Sequence, residues 1–144
     1  MVAFLVFFSI CASAAPDSLG PNSGGNSNSL ISVKRPESLS ATTSERTYTA
    51  SVAGIPGVEV TIYRKSNFDG IFYKVYQGGY LLQETIGASG VYVVSIQLIE
   101  GKNQMKFYAE NQNERQIINV DLTRISQSQL NKIKDITIGG VFAI

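Results

Sequence analysis

Between Ser89 and Gln112 the chain reads SGVYVVSIQLIEGKNQMKFYAENQ, and its apolar residues recur at every second position. Tyr92, Val94, Ile96 and Leu98 fall on one side of an extended segment. After the tight turn Glu100-Gly101-Lys102-Asn103, residues Met105, Phe107 and Ala109 take the inner side of the next segment, opposite Gln104, Lys106, Tyr108 and Glu110. Side chains alternate across a strand but follow a 3.6-residue period on a helix, so this spacing implies two antiparallel strands with one buried face each.

The same texture extends from Leu30 onward, with turn residues about every eight to twelve positions. Leu30 to Val33 opens as an edge strand broken at Pro36. Thr47 to Val52 sets Tyr48, Ala50 and Val52 against Thr47, Thr49 and Ser51. After the turn Gly54-Ile55-Pro56-Gly57, the segment from Val58 to Tyr63 points Val58, Val60 and Ile62 inward and Glu59, Thr61 and Tyr63 outward. Asn67-Phe68-Asp69-Gly70 closes a hairpin onto Ile71 to Tyr76, and Gly78-Gly79 turns that strand into Tyr80 to Ile86. Ile118, Val120 and Leu122 form the inner face of a last strand, Gln116 to Thr123. Without a convincing internal helix, the expected fold is all-β: an antiparallel β-sandwich of seven to eight strands over residues 30–125.

The ends read differently. Residues 1–14 are expected to be a signal peptide: MVAFLVFFSI is a short apolar core, and Ala12 and Ala14 fit the A-x-A pattern, which places cleavage between Ala14 and Ala15. That core is shorter than the roughly 20 apolar residues a spanning helix needs. A basic n-region is missing, since the first lysine is Lys34. Cys11 is read as a residue of the apolar core; Ile10 before it suits a lipidation site poorly. Residues 15–29, rich in Gly, Ser, Asn and Pro with Leu19 alone among them as a large apolar side chain, are expected to be a flexible linker. Residues 126–144 form a C-terminal extension: a short helix capped by Ser126 or Ser128, with Leu130 and Ile133 as anchors, then the apolar Ile136 to Ile144 as a terminal strand or docked segment.

Composition narrows the chemistry. The chain has no His, no Trp and one Cys, which falls in the segment expected to be removed. Imidazole bases, catalytic triads and the commonest zinc sites therefore lack their parts, and the mature chain would have no disulfide. Twelve basic against eleven acidic residues give no reason to expect nucleic acid as a partner. The carboxylates at Glu45, Glu59, Glu84, Glu100, Glu110 and Glu114 show no spacing that proposes a facing pair. Asn67-x-Asp69-Gly70 is the nearest approach to a calcium ligand set and is read as a hairpin turn. The expectation is a non-enzyme with no cofactor and no metal.

The segment S-G-x-aromatic-x-V-x-I-x-L-x-E-G-x-N-x-M-x-F-x-A from Ser89 to Ala109 resembles the E–F hairpin of bacterial Ig-like modules, including glucodextranase-type Ig-like domains. Ala53-Gly54-Ile55-Pro56-Gly57 before Val58-Glu59-Val60-Thr61-Ile62-Tyr63 is similar to their B–C segment. The resemblance covers Leu30 to Ile125. It implies an Ig-like sandwich, exported to the cell surface or envelope, that acts in adhesion, protein interaction or as a spacer, with a protein or cell-wall glycan as partner. An alternative is a carbohydrate-binding accessory domain for peptidoglycan or another polysaccharide. For that role all seven tyrosines lie within the sandwich, and Tyr63, Tyr73, Tyr76 and Tyr80 are the candidates for a shared binding face. Tyrosine is also an ordinary strand residue.

Overall fold

The computed structural model describes residues 15–142, and side chains to residue 134; the expected signal peptide, including Ala14, and residues 143–144 lie outside the described residues. In chain order the elements are β1 (Ser18–Leu19), β2 (Ile31–Arg35), β3 (Ser40–Thr43), β4 (Thr47–Gly54), β5 (Glu59–Lys65), β6 (Phe72–Lys74), β7 (Tyr76–Gln77), β8 (Tyr80–Leu81), β9 (Gln83–Thr85), β10 (Val91–Gln97), β11 (Gly101–Asn111), β12 (Glu114–Arg124) and α1 (Gln127–Phe142).

Two sheets face each other. The smaller has the order β10-β4-β2; the larger runs β1-β6-β5-β11-β12-β3, with β9 also pairing β5. All pairings are antiparallel except β12 with β3, where Asp121 to Arg124 run alongside Ser40 to Thr43. The fold is thus an all-β sandwich, with several strands shorter than the alternation alone suggests.

The alternation explains the packing. In β10, Tyr92, Val94 and Ile96 are buried while Val91, Val93, Ser95 and Gln97 are exposed. They meet Val60, Ile62, Phe107, Val120 and Leu122 of the larger sheet in one continuous core. Burying a side chain of this size stabilises by about 1.5–3 kcal/mol, against about 1 kcal/mol for a hydrogen bond, so the apolar pattern dictates the register. The turn into β11 is held by buried Asn103, whose amide accepts from the Ile99 N–H at 3.0 Å and donates to the carbonyls of Ile99 and Gly101 at 2.9 and 3.1 Å.

Two expectations are corrected. Residues 15–29 do not run free as a linker. β1 pairs β6, the Tyr63 hydroxyl donates to the Pro16 carbonyl, and the Asn26 and Ser27 amides donate to the Arg115 carbonyl at 2.9 and 3.0 Å. Ala15 and Leu19 pack with Tyr63, Phe72 and Tyr108, partly flanked by Ile117, as a second apolar cluster on the outer face of the larger sheet. The reason is the outer face itself: Tyr63 and Tyr108 point outward, as expected, but are too apolar there to stay uncovered, and the segment before β2 packs on them, while outward Thr61 is buried beside β9, its hydroxyl accepting from the Gln83 amide at 2.8 Å. Gly25 makes close approach possible, since a Cβ there would lie 2.3 Å from the Arg115 carbonyl oxygen.

The second correction concerns Ile136 to Ile144. The backbone from Gln127 to Phe142 is one helix and no terminal strand forms among the described residues. Ser126 starts it as N-cap: its hydroxyl accepts from the Gln129 N–H at 3.2 Å and the Gln129 side chain accepts from the Ser126 N–H at 3.1 Å, a reciprocal capping box. Once nucleated, adding a residue to a helix fixes one residue for one hydrogen bond, which outweighs the strand preference of Ile136 to Ile138. No helix among the described residues is long and apolar enough to cross a membrane.

Candidate functional site

The four candidate tyrosines are separated by the register. Tyr63 is 0% exposed, under the N-terminal segment, edge-on to Tyr108 with ring centroids 6.0 Å apart. Its burial, then the negative groups around it, push its phenol pKa well above the ordinary value. Tyr73 is half-exposed and its hydroxyl donates to Asp69 Oδ2; that bond, with the Ile71 amide, holds the Asp69 carboxyl below its usual value and fastens the hairpin. Tyr76 and Tyr80 lie on the β7–β8 ribbon, whose two-residue turn Gly78-Gly79 has φ of +59° and +82°, the left-handed pair of a type I′ turn. Tyr76 stands opposite Leu81, and Tyr80 opposite Gln77, so the two rings leave the ribbon on opposite sides. The four do not present one common face. Ala15, on the near side of the expected cleavage point, is buried in the outer cluster.

Tyr80 shares its side of the ribbon with Gln77. The Gln77 amide reaches the outer edge of β10, donating to the Ser95 carbonyl at 3.0 Å and accepting from the Gln97 N–H at 2.7 Å. Among the described residues β10 has β4 on one side only, and Val91 and Val93 are exposed beside this edge. The ribbon, the strand edge and three exposed apolar side chains thereby belong to one flank of the sandwich.

A different feature lies on the outer face of the larger sheet. Lys106, central in β11, stands opposite Asn119 of β12 and Tyr63 of β5. It is 2% exposed. Its Nζ donates to Asn119 Oδ1 at 2.7 Å and lies 4.7 Å from the centre of the Phe72 ring. Among the described residues no carboxylate stands at ion-pairing distance from it. Burial lowers its pKa. It lines a hollow of about 260 Å³ with Pro21, Lys65, Phe72, Gln104, Asn119 and Asp121. A hollow of about 170 Å³ adjoins it through Lys65 and Gln104 and adds Asn67 and Lys102.

Alternation puts Lys106 on the outer face of its strand, where a lysine is expected to be solvated. A lysine between Met105 and Phe107 is the available signal, but its enclosure involves residues distant along the chain: the Phe72 ring beside its Nζ, and Pro21 in the lining of the same hollow. The carboxylates stay dispersed: Glu59 accepts from Gln83 at 3.1 Å and Glu110 from the Tyr108 hydroxyl at 2.9 Å.

No family model matches this chain, and no curated protein does. Among solved structures, the chain is similar to an endo-beta-1,4-mannanase from Thermotoga petrophila, with 11% identity and a TM-score of 0.41, over 71% of this chain and 21% of that one. A likeness so slight carries no argument about function.

Proposed function

We propose that this chain is a non-enzymatic, exported sandwich module that acts by surface contact, in cell-envelope adhesion, protein interaction or spacing. The observation that carries the reading is the outer edge of β10. An edge strand paired on one side offers its outward N–H and C=O groups to another extended chain, and soluble proteins commonly blunt such edges with lysine or proline. Here the flank carries Val91 and Val93 instead, and only the Ser95–Gln97 end is clasped by Gln77. The partner this flank suits is a protein that contributes an extended strand.

The experiment is retention of the purified chain on washed cell-envelope material, compared with Val93→Lys. Val93 is exposed, so the substitution leaves the core untouched; retention is expected to be lost with the circular dichroism spectrum unchanged. Undiminished retention of Val93→Lys sinks the edge as the contact surface.

A carbohydrate-binding role is the second reading. It would rest on single exposed rings, Tyr80 at 79% exposure foremost, because Tyr76 leaves the ribbon on the other side, Tyr73 is tied to Asp69 and Tyr63 is covered. Retention on insoluble peptidoglycan, abolished by Tyr73→Ala or Tyr80→Ala, would favour it; no retention on any glycan removes it.

A further inference from the structure

Lys106 is a cation withdrawn from water with no counter-ion among the described residues. An ammonium has three N–H donors. One is used on Asn119, and the Phe72 ring supplies an electrostatic contact that accepts no conventional hydrogen bond. A lone buried charge is costly, and an apolar side chain of the same length would pack this position at less expense of free energy. What distinguishes the position is the hollow beside it. Lys65, a second lysine, also lines this space, together with Gln104, Asn119 and the aromatic Phe72. Asp121 is exposed on the rim.

We propose that this hollow is a binding subsite for a carboxylate, borne by an acidic sugar or by a free organic acid. Two ammoniums against one carboxylate leave a single net positive charge, which matches a monoanion better than a doubly charged phosphate. The volume, about 260 Å³, is below the range of about 300–1,000 Å³ common for drug-sized ligands, so the hollow takes one small unit rather than a chain. A bound carboxylate supplies the missing counter-ion and accepts from the unused donors of Lys106, a charge-assisted contact in a water-poor setting. Lowering of the Lys106 pKa by burial agrees with the absence of such a partner in the free protein. The inference rests on the chain being a binding module rather than an inert spacer. It uses a surface separate from the β10 edge.

The test is a nuclear magnetic resonance titration of isotope-labelled protein at constant ionic strength with glucuronate, acetate, inorganic phosphate and uncharged glucose. Glucuronate or acetate is expected to shift the backbone amides of Lys65, Gln104, Lys106 and Asn119, and glucose to leave them in place. Lys106→Met should abolish those shifts while keeping the thermal unfolding midpoint or raising it; Lys65→Met, on a half-exposed residue, should weaken them and stands in if the first variant fails to fold. A response to glucuronate with acetate silent assigns the source as an acidic sugar; equal responses assign a free acid. Silence toward both carboxylates, shifts that persist in both lysine variants, an equal response to glucose, or tighter binding of phosphate than of acetate overturns the proposal. Envelope retention and its loss in Val93→Lys are read independently, so a silent hollow leaves the surface-contact reading standing, and the converse holds.

Discussion

Gln116 is an inward-facing glutamine of β12, 7% exposed, at the seam between the two sheets. Its Oε1 accepts from the N–H groups of Leu30 and Ile31, each at 2.9 Å, and its Nε2 donates to the Ile31 carbonyl at 3.1 Å. One side chain of the larger sheet thus clasps the first strand of the smaller. Gln116→Met conserves length and shape but leaves three backbone groups without these partners in a dry seam. Each buried group so stranded costs about 1–3 kcal/mol, and methionine regains part of that through apolar burial, so the net loss should be about 3 kcal/mol. Against a total stability of about 5–15 kcal/mol this is large. With a urea slope of about 2 kcal/mol/M, the unfolding midpoint should fall by about 1.5 M. Gln77 gives the internal comparison, because its amide makes the same kind of contacts to Ser95 and Gln97 on an exposed edge. Water replaces an exposed partner, so Gln77→Met should cost under about 1 kcal/mol. Urea unfolding followed by far-ultraviolet circular dichroism and by tyrosine fluorescence measures both. Equal losses in the two variants, or a loss below about 1 kcal/mol at Gln116, would refute the argument that burial decides the worth of these bonds.

Three further outcomes are expected. Gly25→Ala places a methyl 2.3 Å from the Arg115 carbonyl oxygen, backbone that cannot rotate away, so the segment over Tyr63 and Tyr108 should lift; limited proteolysis before Leu30 should speed up while the global midpoint changes little, and unchanged proteolysis would count against the covering role. Tyr92 and Tyr108 have phenol pKa values pushed up to about 12, by burial first, then by Glu84 near Tyr92 and by the hydrogen bond to Glu110 at Tyr108. Because the folded values lie above the ordinary 10.0, the stabilisation they reflect is intact below pH 10 and is lost as pH rises from there through about 12; an ultraviolet titration should show late-ionising tyrosines that become ordinary when the chain unfolds, and a single phenol transition near the ordinary value would contradict the buried placement. Asn103→Ala should cost about 1–3 kcal/mol by freeing the Ile99 amide and two carbonyls, read as a lower urea midpoint.

Particular residues show where legibility ended. The period-two runs of β10 and β11 announced their inner faces, and Tyr92, Val94, Ile96, Met105 and Phe107 are all buried. The hairpin at Asn67 to Gly70 and the cap at Ser126 were also readable, because each is settled by a few adjacent residues. The tyrosines were not. Which side of a strand Tyr63 occupies follows from alternation, but whether that side meets water depends on another part of the chain. The same holds for Lys106, read as an ordinary solvated lysine, and for Gln116, whose partners Leu30 and Ile31 lie some 85 positions earlier.

Local pattern therefore determined that this chain makes strands, where they turn, and which side chains form the core between two sheets. Tertiary structure decided what happens on the outer face of the larger sheet, where a segment with the composition of a linker covers an aromatic patch and leaves a lysine enclosed beside a hollow. The physical reason is that alternation reports only the two sides of one strand, whereas exposure is a property of everything packed above it; here Ala15 and Leu19, on a segment pinned by β1–β6 pairing and by a backbone that fits closely at Gly25, convert an outward face into a buried one.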